Sequence, residues 1–143
     1  MCGIAGTFQI DHTRPASGDR IHAALQCIAH RGPDDSGVHT MGSAVLGHRR
    51  LSIIDTSSNG HQPFTDNGGR YTIAFNGEVF NFHALRADLE AKGHTFRSTS
   101  DSEIIAALVS NSKAETIRDA VAEVMPRLRG AFSTVIANKE MVV

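Results

Sequence analysis

Met1-Cys2-Gly3-Ile4-Ala5-Gly6 opens the chain, and its cysteine beside the initiator methionine is the residue from which chemistry and fold are read. If Met1 is removed, Cys2 becomes N-terminal and carries a thiol and a free α-amino group on one carbon. The amine, with a reference pKa of about 7.7–8.0, takes a proton at neutral pH, and a base works best when its pKa lies near the working pH. The thiol, at about 8.5, is only a few per cent thiolate at pH 7 and gains from such a base. One residue thus supplies nucleophile and base together, with no histidine required. Taken alone, position 2 is weak ground, because a buried structural cysteine is the commoner explanation.

Composition narrows the classes. The 143 residues, 41% of them apolar, suit one domain with a real core. Fourteen basic and 15 acidic side chains leave a net charge of -1, so no field of one sign exists to attract nucleic acid or a membrane surface. No apolar run approaches the roughly 20 residues of a membrane helix, and the first residues lack the layout of a secretory signal. Two cysteines, Cys2 and Cys27, make no disulfide framework. The cytoplasm is the expected compartment.

The remaining sequence reads as alternating elements without a linker or repeat. Ile4 to Ile10 is a predicted strand, and Asp19 to His30 a helix with Ile21, Leu25 and Ile28 on one face. Cys27 lies on that helix and is expected to be an inert core residue. Arg31-Gly32-Pro33-Asp34-Asp35-Ser36-Gly37 reads as a loop. Ala44 to Ile54 is strand-like, and Thr56 to Gly69 a polar loop long enough to suggest a task. Tyr71, Ile73 and Phe75 alternate with Thr72 and Ala74, a strand that ends at Asn76-Gly77. Asn81 then caps a helix through Leu85 and Leu89 that Gly93 stops. Ser100-Asp101-Ser102-Glu103 has the form of a capping box opening a helix through Val109. Ile117, Val121, Val124 and Met125 mark a further helix ending near Pro126, and Ala131 to Ala137 is a strand. Met141-Val142-Val143 begins another, so the chain is expected to stop inside its domain.

Several stretches together resemble one family. Met1-Cys2-Gly3-Ile4-Ala5-Gly6, His30-Arg31-Gly32-Pro33-Asp34 and Gly47-His48-Arg49-Arg50-Leu51-Ser52-Ile53-Ile54-Asp55 come first. Gln62-Pro63, Asn76-Gly77-Glu78-Val79-Phe80-Asn81 and Ser100-Asp101-Ser102-Glu103 follow. In this order and approximate spacing they resemble the class II, N-terminal-nucleophile glutamine amidotransferases, and among these the glutamine-hydrolysing asparagine synthetases. The phosphoribosyl and glucosamine-phosphate branches share Met-Cys-Gly-Ile and Asn-Gly but usually differ at Arg-Gly-Pro-Asp and Arg-Leu-Ser-Ile. The resemblance spans residues 1–143.

It implies an α+β fold of the N-terminal-nucleophile hydrolase type, an αββα sandwich of two antiparallel sheets covered by helices, here incomplete at its C-terminal end. The activity implied is hydrolysis of L-glutamine to L-glutamate and ammonia through a γ-glutamyl thioester on Cys2. Attack on a carboxamide builds negative charge on its oxygen, and preorganised donors there are worth about 2.7–4 kcal/mol each. Asn76 offers a side-chain amide, and Gly77, lacking Cβ, a closely approachable N–H. A bare Asn-Gly is otherwise most often a simple turn. Free glutamine also presents a carboxylate and an ammonium. Arg50 resembles the residue whose planar guanidinium forks onto the carboxylate. Asp101, with Glu78 nearby, resembles the acceptor of the ammonium, and as an acid at a helix N-terminus it also suits the dipole. Leu51, Ser52, Ile53 and Ile54 would line the pocket, largely through backbone.

Other chemistry has little support. The eight histidines (His12, His22, His30, His39, His48, His61, His83, His94) include no H-E-x-x-H and no helical i, i+4 pair, so no metal site is expected. No phosphate-cradling glycine motif occurs. The glutaminase step implies no cofactor. ATP and Mg are expected only in the synthetase domain, which in this family follows, adenylates the acceptor (aspartate or another carboxylate) and receives ammonia through an internal channel. Residues 1–143 hold no such domain, so the expected partners are L-glutamine and a synthetase region or separate chain completing the unit. The alternative is a catalytically inactive fragment, or a binding or regulatory half-domain derived from such an enzyme.

Overall fold

β3 (Ala44–Arg50) organises the molecule, because alternate side chains of this strand enter two different apolar layers. In the computed structural model, which describes residues 1–11 and 16–143, β3 is the central strand of an antiparallel sheet. β1 (Gly3–Phe8) and β2 (Asp35–Met41) flank it. Val45 packs with Ile21 and Leu25 of helix α1 (Asp19–Cys27) on one face. Gly47 points the same way, where an added Cβ would meet Ile21 and Leu25, so its lack of a side chain sets how closely α1 approaches. Ala44 and Leu46 point to the other face and pack against Ala74 and Ala137 of the second sheet.

That sheet has β5 (Thr72–Val79) at its centre, with β4 (Phe64–Thr65) and β6 (Gly130–Ala137) on either side, both antiparallel. Ile73, Phe75 and Val79 of β5 enter the largest apolar cluster. The helices α2 (Phe82–Ala91), α3 (Ser102–Asn111) and α4 (Ile117–Val124) supply the rest of it. The layers therefore run helix, sheet, sheet, helices, which is the expected αββα sandwich. α3 is buried along most of its length, as a helix covered on more than one side must be.

Several local expectations are corrected. β2 runs through Asp35-Ser36-Gly37, which the turn residues assign to a loop. Gly37 is there because the Gln62 carbonyl oxygen and the His61 ring occupy the space a Cβ would need. The 56–69 stretch holds the short strand β4 and a 3-10 turn at Ser58–Gly60. Cys27 is exposed rather than in the core, because α1 buries its Ile21 and Leu25 face. Asn81 occupies the N-cap of α2 without capping it. Its carboxamide instead accepts from Arg129 N–H and donates to the Arg127 carbonyl, both at 2.9 Å, tying α2 to the approach to β6. Gly93, at φ +87, does end the following helix region, where Gly93 N–H reaches Glu90 O and His94 N–H reaches Leu89 O. Of the eight histidines, His12 lies outside the described residues.

His48 bridges the two sheets. Fully buried, it places Nε2 2.8 Å from the Phe75 carbonyl oxygen, to which it donates, while Nδ1 is buried with no partner among the described residues. Burial holds its pKa down at about 4, against the ordinary 6.5. The unfolded chain therefore binds one more proton than the native state between those pH values. The stability His48 contributes is complete above pH 6.5 and is lost as pH falls through that window towards 4. Urea unfolding should show the free energy falling by up to about 1.4 kcal/mol per pH unit in this range from His48. His48→Asn should remove that slope; a variant with the same slope would assign the acid sensitivity to other groups.

Candidate active site

The pairing of β1 with β3 sets Gly3 opposite Arg49, which brings Cys2 beside Leu51. Leu51 N–H donates to Cys2 Sγ at 3.3 Å, and the thiol faces the Leu51 carbonyl oxygen at 3.7 Å. Arg31 Nε donates to the Cys2 carbonyl at 2.9 Å, so residue 2 is held through both thiol and backbone. Arg31 ends the 3-10 turn Ala29–Arg31 that follows α1. The Arg-Gly-Pro-Asp stretch was legible as a motif, but nothing in its composition assigned Arg31 this contact.

Asn76 and Gly77 lie inside β5, opposite Ser133 and Phe132 of β6, rather than at a strand end. The ladder continues past them because Gly77 takes φ +143, a conformation that side-chain-bearing residues rarely adopt. A Cβ there would also overlap the Ala131 carbonyl and Phe132. β4 pairs only with Thr72 and Ile73. Beyond it two side chains take the place of a ladder partner at Phe75: Gln62 Oε1 accepts its N–H at 2.7 Å, and His48 donates to its carbonyl. Asn76 is thereby fixed from the preceding residue, and its own Oδ1 is buried without a hydrogen-bond partner among the described residues.

Arg50 closes β3 and is buried. It points to the inter-sheet side like Leu46 and His48, four and two residues earlier. Its Nη1 donates to Ser57 O at 2.9 Å and its Nη2 to Asp55 O. Asp101 stands at the N-cap of α3, yet its carboxylate makes no capping bond; Oδ2 accepts from Val79 N–H at 2.8 Å. The predicted capping box does not form. Glu103 turns away to accept from Arg97 N–H, Ser98 N–H and the Ser98 hydroxyl. Burial raises the Asp101 pKa above the ordinary carboxylate value, and the neighbouring Glu78 pushes the same way. Such a carboxylate gains when a cation arrives beside it.

These groups open onto one cavity of about 360 Å³. Cys2, Asn76 and Gly77 line it, as do Arg50, Leu51, Ile53, Ile54, Glu78 and Asp101. Ser52 does not, because its N–H turns outward to Asp34 Oδ2 at 2.8 Å. Arg49 is also absent from the lining, and its Nε is buried without a hydrogen-bond partner among the described residues. Asp55 and Phe80 line the cavity without having been singled out from sequence. Phe80 and Ile53 leave 64% and 74% of their surface exposed, so these cavity-lining groups are also open to solvent. The walls thus offer a thiol, amide donors, one cation and carboxylates around a space suited to a small zwitterion.

A second cavity, of about 270 Å³, lies between β4, the segment that follows α2 and one side of α3. Its buried acids are already satisfied: Asp66 accepts from the Gly68, Arg70 and Tyr71 N–H groups and from the Ser110 hydroxyl. Among the described residues no group of three His, Cys, Asp or Glu side chains could hold a metal ion, and no helix is long and apolar enough to cross a membrane.

Residues 1–142 match the family model of the glutamine amidotransferase domain. The chain belongs to that family. Within this glutamine amidotransferase family it is 41% identical over 142 residues to asparagine synthetase [glutamine-hydrolyzing] 1 of Bacillus subtilis, covering 97% of this chain and 21% of that protein. It is 33% identical over 140 residues to asparagine synthetase B of Escherichia coli, covering 98% of this chain and 24% of the relative. The chain therefore spans about a fifth to a quarter of the length of these relatives. The solved glutamine phosphoribosylpyrophosphate amidotransferase of B. subtilis superposes with a TM-score of 0.78 at 21% identity, over 96% of this chain and 35% of that one. At that identity the likeness carries the amidotransferase fold alone.

Proposed function

We propose that this glutaminase domain, once Met1 is removed, hydrolyses L-glutamine to L-glutamate and ammonia through a thioester on Cys2. The observation that carries the reading is the convergence of nine of the ten candidate residues on the cavity that holds the Cys2 thiol. Met1 is largely exposed at that cavity, open to an aminopeptidase, and while it remains the Cys2 nitrogen is a peptide nitrogen and no base.

The steps follow from the groups present. The Cys2 amine takes the thiol proton, and the thiolate attacks the glutamine carboxamide carbon. Charge moves to the carboxamide oxygen, where the Asn76 amide and the Gly77 N–H donate to it. Collapse of this adduct returns the proton to the leaving nitrogen, releases ammonia and leaves the γ-glutamyl thioester. Water, deprotonated by the same amine, then attacks the thioester, giving glutamate and the free thiol. Leu51 N–H, already on Sγ, steadies the developing thiolate.

Arg50 binds the α-carboxylate with the N–H donors not committed to Ser57 and Asp55, and Asp101 with Glu78 receives the ammonium. Leu51, Ile53 and Ile54 wall the site; Ser52 acts only by fixing the turn to Asp34. No metal or cofactor takes part in this step. In a longer protein the ammonia would serve asparagine synthesis or a related amidation, with ATP and Mg acting in a synthetase region. The direct test measures glutamate release by the purified chain, with intact mass to establish Met1 removal. Processed, folded chain without turnover would overturn the activity and leave a binding or regulatory fragment.

Arg50 is separable from its neighbour. Removing one partner of a buried charge-assisted pair costs on the order of 2–5 kcal/mol. Arg50→Ala should therefore raise KM for glutamine at least about thirtyfold, at about 1.4 kcal/mol per factor of ten. Lysine should not restore it, because a point charge cannot reproduce the planar fork. Arg49→Ala should change KM little. Equal effects on KM from the two substitutions would remove Arg50 from the site.

A further inference from the structure

We propose that Asp55 is a positioning residue that couples the two segments holding the opposite charges of the substrate, setting the spacing between Arg50 and Asp101. This coupling presupposes that glutamine occupies the cavity as proposed above.

Asp55 is buried and sits where three strands of contact cross. Its backbone carbonyl accepts from Arg50 Nη2, and the Ser57 carbonyl accepts from Nη1. Its Oδ1 accepts from both the N–H and the hydroxyl of Ser57, at 2.8 and 2.6 Å, which fixes that second carbonyl against the guanidinium. Gly60 presses on the same guanidinium, where a side chain would overlap Nη2. The 55–60 turn is thus moulded around Arg50, and one carboxylate oxygen holds its form.

The other oxygen reaches across the cavity wall. Oδ2 accepts from Thr99 N–H at 2.8 Å, two residues before Asp101. Asp101 is pinned from its far side by the Val79 N–H at the end of β5. A single carboxylate therefore joins the turn that seats the cation to the segment that presents the anion. Ser57 and Thr99 together need an acceptor at each oxygen, and only a carboxylate has two. Asparagine would set its NH2 against one of these N–H donors and lose that strap. Its size would be unchanged. The Ser57 hydroxyl foremost, and then the Thr99 N–H, hold the Asp55 pKa down at about 2, so both straps persist across the working range of pH.

The test is equilibrium binding of L-glutamine by calorimetry in a Cys2→Ala background, which prevents turnover. Asp55→Asn should raise Kd at least about tenfold, and this loss should shrink to less than about threefold when Arg50→Ala is already present, because Asp55 acts through Arg50. Circular dichroism establishes that each variant is folded. Folded Asp55→Asn that binds within twofold of its parent would overturn the proposal, as would a loss fully independent of Arg50. If Asp55→Asn does not fold, Ser57→Ala removes one of the two bonds to Oδ1 and should raise Kd at least about threefold; unchanged affinity there overturns the proposal equally. A parent that fails to bind glutamine would instead sink the functional reading itself.

Discussion

Cys2→Ala should abolish glutamate release from glutamine while leaving the chain folded. No other residue in the cavity combines a thiol with the capacity for a free α-amine, so no second route to a thioester exists there. Loss of the thiol removes the covalent step, and what remains is whatever the amide donors achieve with water alone. Removing a nucleophile commonly costs on the order of 10⁶ in kcat. The fold should survive, since the side chain is only half-buried and bonds chiefly to the Leu51 backbone. Retained turnover in Cys2→Ala, measured on protein of verified mass, would end the mechanism. Cys2→Ser should be similarly inactive, because a hydroxyl is too weakly acidic for the same amine to activate well.

Asn76→Ala should lower kcat by roughly 10²–10³ with little change in KM. The prediction follows from where charge develops. The carboxamide oxygen of bound glutamine is neutral, and it becomes an anion only as Cys2 attacks, so a donor aimed there is worth most in the transition state. The packing supports that role, because Asn76 is fixed through Phe75 by Gln62 and His48 and needs no reorganisation when the charge appears. Its buried Oδ1, without a partner among the described residues, costs stability, an arrangement that a purely structural asparagine would have little reason to keep. Asn76→Ala should therefore be no less stable to urea than the unsubstituted chain. An effect confined to KM would make Asn76 a binder of ground-state glutamine instead.

Much of the scaffold was legible because it obeys local rules. The period of Ile21 and Leu25 gave α1, the alternation through Ile73 and Phe75 gave β5, and Gly93 stopped α2 for the reason glycine usually does. What escaped depends on distant contacts. β2 carries turn-like residues because the Gln62 backbone and His61 lie against Gly37. Asn76-Gly77 mimics a hairpin signal, but the β6 ladder carries the chain straight through it. Ser100-Asp101-Ser102-Glu103 has capping residues at capping spacing, yet Glu103 finds three donors at Arg97 and Ser98, and Asp101 is claimed by Val79.

The candidate site divides along the same line. The residues that would do chemistry could be named from the family resemblance carried by the motifs around Cys2, Arg50, Asn76-Gly77 and Asp101. Their supports could not. Arg31 on the Cys2 carbonyl and Asp55 between Ser57 and Thr99 are ordinary charges in sequence, and only the fold shows what they touch. Ser52 lies outside the cavity lining for a related reason: a backbone donor beside a pocket is free only if no nearby carboxylate takes it, and Asp34 does.

The most direct measurement uses a glutamine analogue whose carboxamide is replaced by an electrophilic diazoketone, with peptide mapping of the adduct. The processed chain should take up one equivalent on Cys2, glutamine should protect it competitively, and Cys27, although exposed, should stay unmodified. Labelling of Cys27 at an equal rate, or labelling of Cys2 that glutamine does not slow, would contradict the claim that Cys2 is the nucleophile of a glutamine site.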